Sequence, residues 1–133
     1  MRKTPAFIGT YFDLMPIFQD LNRRFFCDRI DASVKWGIRR THVRKRSIRL
    51  GSYHAHNKTI IINPCLDQAI VPLVCVERIL FHEMLHQHLP PRKSRGGRMQ
   101  FHHRDFNNFE KIFPYLKEAD HWLKANLPRL LQF

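Results

Sequence analysis

VPLVCVERILFHEMLHQHL, residues 71–89, is the longest helical stretch in the sequence. Pro72 suits a first turn, where its missing N–H is no loss, and Pro90 and Pro91 stop the helix at the far end. The stretch is apolar on nearly every side, so this helix belongs at the centre of a core. Within it lies HEMLH, residues 82–86. Four residues apart on a helix, His82 and His86 share one face, from which both imidazoles reach one ion at about 2.0–2.1 Å. Glu83 then stands beside the open position. Zinc in such a site lowers the pKa of its water from 15.7 to about 7 and polarises a carbonyl. Glu83 is placed to take the water proton and pass it to a leaving amine. Two histidines and a glutamate in so apolar a helix would cost several kcal/mol unless something satisfied them, and a metal does so.

Working outward, Leu14, Ile17, Phe18, Leu21 and Phe25 fall on one stripe and predict a helix over 11–26, with Thr10 or Asp13 as its cap. Val34, Trp36 and Ile38 alternate as in a strand, and a second extended stretch runs through Ile48, Leu50 and Tyr53. KTIIIN at 58–63 is a third, β-branched strand with Asn57 and Lys58 in the turn before it; its edge is a candidate for strand addition by an extended peptide. Beyond the central helix comes a basic, glycine-containing loop, 90–100. A helix is expected from about His102, with Phe106, Phe109 and Phe113 on one stripe and Pro114 as its breaker, then another over 115–126, then an apolar tail packed on the domain. The reading is a single α+β domain over 1–133: an N-terminal helix, a small three-stranded sheet, the central HExxH helix and C-terminal helices.

A catalytic zinc takes three protein ligands and keeps one position open. His88 is turned about 200° from His86 around the helix axis. Six residues after His86, where the metzincin pattern has its third histidine, stands Arg92. His102, His103 and His121 remain. HEMLH followed by HHRDF at 102–106, with LGSYHAHNKTIIINPCLD at 50–67 before them, resembles the SprT-like zinc metallopeptidases, including their compact minigluzincin-type members. The likeness covers roughly residues 10–115. It implies a zincin-like fold, a zinc endopeptidase activity through a metal-activated water, and His102 as the third ligand with Phe106 four positions on. The stripe Phe106, Phe109, Phe113 agrees, since a core-facing stripe turns His102 inward and leaves His103, Asn107 and Glu110 on a polar, solvent-facing side. The cysteine-rich zinc ribbon of some relatives is not found. Tyr53, His54, His56, Tyr115 and His121 are unranked candidates for stabilising an oxyanion.

The chain carries 23 basic and 11 acidic residues, a formal charge of +12. Such a field favours polyanions. Arg39, Arg40, Arg44, Lys45, Arg46 and Arg49 form one basic cluster, and Arg92, Lys93, Arg95 and Arg98 form another directly after the metal helix. Both read either as solvated loops or as phosphate contacts that bring the site near DNA; the resemblance favours the second, since some SprT-like enzymes cleave DNA-attached proteins. No apolar run approaches the ~18–20 residues of a membrane helix, and the N-terminal stretch lacks a signal-peptide core, so a cytoplasmic location is the expectation. Cys27, Cys65 and Cys75 form no CxxC and are expected as buried free thiols. Two other functions fit the same residues: a nucleic-acid-binding protein with a structural zinc, against which the intact Glu83 argues, and a latent peptidase covered by the tail LPRLLQF.

Overall fold

The computed structural model describes residues 4–38 and 48–132. The expected helix forms as α1, Leu14–Phe26, and buries Leu14, Phe18, Leu21 and Phe26 on one side. Asp13 occupies the cap position but makes no capping bond; its carboxylate accepts instead from the Gly9 N–H at 3.3 Å. Cys27 ends the helix in the left-handed region at φ 53°, which lets the Asp28 N–H turn back to the Asn22 carbonyl at 3.0 Å. That position leaves Cys27 exposed, contrary to the expected burial, while Cys65 and Cys75 are buried and all three are free.

Three strands follow: β1 (Ser33–Trp36), β2 (Gly51–His54) and β3 (Thr59–Ile62). Their spatial order is β1-β3-β2, with β1 parallel and β2 antiparallel to β3. The isoleucine run is therefore the middle strand, with Ile60 and Ile62 fully buried. Its edges are both taken, so the expectation that 58–63 offers a free edge is wrong; the edge strand beside the central helix is β2. A short 3-10 turn, Pro64–Leu66, leads to Asp67. The Asp67 carboxylate accepts from the backbone N–H groups of Thr10, Tyr11 and Phe12 at 2.7, 2.8 and 3.0 Å, and so ties the N-terminal loop to the far end of the sheet.

The central helix is α2, Leu73–His88. It touches α1, β2, β3 and both later helices, and Val76, Leu80, Phe81, Met84 and Leu85 are fully buried on it. Phe81 meets Phe25, Phe26 and Phe113 at ring-centroid distances of 5.2, 5.3 and 5.4 Å. Each fully buried side chain of this size is worth about 1.5–3 kcal/mol, so this aromatic cluster anchors the domain. The expected basic loop is a hairpin of β4 (Arg92–Lys93) and β5 (Met99–Gln100).

Helix α3 runs Arg104–Glu110, so it starts two residues later than the sequence suggests and stops before Pro114. Helix α4 is longer than expected, Leu116–Leu130, and continues through Pro128. Its last turn is held because Leu130 is fully buried and the Leu130 carbonyl accepts from the Gln68 side-chain amide at 3.0 Å. The apolar tail is thus largely the end of a helix. Among the described residues, no helix is long and apolar enough to cross a membrane.

Candidate metal centre

Helix α2 presents His82 and His86 one turn apart, as the spacing requires. The third imidazole comes from His102, on the link between β5 and α3. Ring centroids lie 4.9 Å apart for His82 and His86, 5.0 Å for His82 and His102, and 5.0 Å for His86 and His102. One ring nitrogen from each lies within 4.8 Å of the others. The Nε2 atoms of His86 and His102 are 3.3 Å apart. Two nitrogens bound at about 2.0–2.1 Å to one tetrahedral ion would be separated by about 3.3 Å, so the donor set fits a metal ion. Phe106 packs against all three rings, at 5.1, 4.7 and 5.0 Å from His82, His86 and His102, and forms an apolar floor.

The three histidines and Glu83 face a cleft of about 830 Å³. Its far wall is β2 and the residues before it, from Ile48 onward; Pro90, Pro91 and Phe101 close one end. Gly51 shows how tightly this wall fits. A Cβ there would stand 2.9 Å from both Glu83 Oε2 and Ile79 Cγ2. Glycine is what allows the strand to lie flush against the glutamate.

Glu83 is buried, and burial pushes its carboxyl up to about 7 against the opposing pull of His82, Arg49 and Arg78. Burial also drives His86 down to about 4, helped by the like charges of His82 and His102. His102 is lowered too, by burial first and then by the like charge of His82, against the pull of Glu110. Neutral imidazoles are what a metal needs as ligands.

Sequence reasoning missed Glu110. Placed on the expected solvent side, it instead turns toward α2, where its carboxylate pairs with His82 Nδ1. It also accepts from Arg78 Nη1 at 2.8 Å, and Arg78 Nε donates to Asp120 at 2.8 Å. Burial alone would raise the Glu110 carboxyl, but the His82 hydrogen bond and the Arg78 charge outweigh it and hold it at about 2. With Nδ1 of His82 engaged, its Nε2 is left for a ligand, the usual arrangement around a bound metal. The signal was present in the sequence: Arg78 lies one turn before His82 on the same face of an apolar helix, and a buried guanidinium needs carboxylates.

His103 also departs from expectation. It is buried rather than solvent-facing, its Nδ1 accepts from the Phe106 N–H at 3.3 Å as the N-cap of α3, and its Nε2 meets the Pro90 carbonyl at 3.0 Å. His102, by contrast, is exposed as a residue and sits ahead of the helix. The expected ligand therefore joins the cluster, although not by the stripe argument, which assumed a helix already begun at His102. His88 turns away and packs on Phe26 and Phe109. Of the oxyanion candidates, Tyr53 lines the cleft, but its hydroxyl accepts from Gln87 at 3.1 Å. His54 pairs with Ser52 at 3.1 Å, and His56, Tyr115 and His121 are exposed away from the cleft lining.

Arg92, Lys93, Arg95 and Arg98 all stand exposed on the hairpin, and Arg92 pairs with Asp105. Arg39, Arg40, Arg44, Lys45 and Arg46 lie outside the described residues. No family model, characterised protein or solved structure matches this chain.

Proposed function

We propose that this chain is a zinc-dependent endopeptidase of zincin-like fold, with His82, His86 and His102 as metal ligands and Glu83 as general base. The observation that carries the reading is the convergence of three imidazoles and one buried glutamate in a cleft walled by a strand edge. The resemblance of HEMLH and HHRDF to the SprT-like peptidases supports it. When bound, zinc supplies the Lewis acidity that makes water nucleophilic near neutral pH.

The residues supply the rest. Glu83 accepts the proton of the attacking water and returns it to the leaving amine. Glu110 and Arg78 hold the His82 ring in one orientation. The outer edge of β2, which no other strand among the described residues pairs, offers backbone donors and acceptors to an extended peptide. Phe106 and Ile79 exclude water from beneath and beside the site.

The test is digestion of an unfolded protein such as casein by zinc-loaded protein. Glu83→Gln keeps shape and metal but removes the base, so activity should fall by at least ~100-fold. An inactive wild type, or a variant as active as the wild type, would sink the reading. The exposed Lys93, Arg95 and Arg98 on the hairpin favour a contact with nucleic acid; such binding should weaken steeply with salt.

A further inference from the structure

Among the described residues, three side chains with a formal charge line the cleft besides the histidines: Arg49, Arg78 and Glu83. Two have assigned work. Arg78 is held by Glu110 and Asp120, and Glu83 is the proposed base. Arg49 is the third, and among the described residues no carboxylate pairs with it. The surrounding sequence offers none either, since no Asp or Glu occurs from Ala32 through Leu66.

Strand alternation says where Arg49 stands. The missing side chain of Gly51 points at Glu83, and Tyr53, two residues on, meets Gln87 of α2. Ser52 and His54 pair with each other on the opposite face. The extended pairing with β3 continues back past β2, since the Leu50 carbonyl accepts from the Asn63 N–H at 2.8 Å and the Arg49 carbonyl from the Asn63 side chain at 3.2 Å. Arg49 therefore shares the face of Gly51 and Tyr53, about 7 Å along the strand from the point nearest Glu83. Ile79 lines the cleft on the side of Gly51, and an apolar wall strengthens the field of a charge beside it.

We propose that Arg49 forms a subsite for a substrate carboxylate, about two residues along an extended peptide from the bond that the water activated by Glu83 attacks. The inference rests on the peptidase reading and names its substrate class: peptides with an acidic group at that distance. The carboxylate is either an Asp or Glu side chain or the free C-terminus of a short peptide.

The test uses synthetic decapeptides carrying Glu or Gln at each position in turn, with free or amidated C-termini. Binding is measured by anisotropy on the zinc-loaded Glu83→Gln protein, which does not turn them over, and cleavage is measured on the wild type. The Glu peptide should bind about fivefold more tightly than its Gln partner at one position, the size of one partly exposed ion pair. Arg49→Gln should erase that difference and Arg49→Lys should restore part of it. A difference tied to amidation instead assigns the C-terminal carboxylate. Equal binding of acid and amide peptides, no binding of any peptide, or an Arg49 effect seen only with a single-stranded oligonucleotide overturns the proposal. A wild type that binds acid peptides through Arg49 but cleaves none defeats the peptidase reading and leaves the subsite standing.

Discussion

Glu110 decides which nitrogen of His82 is left free, and a neutral replacement tests that role. Glu110→Gln removes the charge that holds the Nδ1 proton while preserving the side-chain volume. Zinc affinity, measured by competition with a chromophoric chelator, should fall about 10–100-fold, with the circular dichroism spectrum unchanged. Unaltered affinity would make the carboxylate a partner of Arg78 alone. At this scale the sequence was partly legible. His82, Glu83 and His86 follow from helical periodicity within one segment, so local spacing suffices. Glu110 stands four residues after Phe106, about 40° from it around the helix, so it belonged beside the inward stripe and not with Asn107 on the solvent side. Gly51 was silent, because its importance lies in the absence of a side chain beside Glu83.

At the scale of elements, α3 owes its start to His103. Its ring caps the helix and reaches back to the Pro90 carbonyl, so it joins the two ends of the hairpin region while buried. His103→Ala should cost about 1–2 kcal/mol of stability, read by urea denaturation, and leave the metal stoichiometry unchanged. Loss of metal with no loss of stability would mean that His103, not His102, is the ligand. The helices and strands were legible because each carries its own periodicity. Strand order was not, since pairing partners lie outside any one segment. The isoleucine run did not settle it, since Ile60 and Ile62 are buried on one face while Ile61 on the other is only half-buried. Helix α4 passed its expected end because tertiary burial of Leu130 overrides the local penalty of a proline.

For the whole molecule, the core separates the three thiols into two kinds. Burial pushes Cys65 and Cys75 each up to about 11, with Asp120 adding to the effect at Cys75, and both are fully shielded. At pH 8 almost none of either is thiolate, the form that reacts. A thiol reagent should therefore modify one cysteine per native chain, Cys27, and three after denaturation. Fast reaction of all three without denaturant would show that the core opens readily. The positive charge of the chain was plain from composition, but how it is shared between the cleft and the hairpin needed the fold.

The position of His102 also sets an order in time. Ribosomes add roughly 5–20 residues per second, and sixteen residues separate His86 from His102. A nascent chain thus exposes HEMLH with two of its three donors for about a second or more before the last is made. Until then the segment is a two-coordinate lure for whatever ion is passing. Full coordination waits for the hairpin to fold back and deliver His102, by which time most of the domain around the cluster has been made.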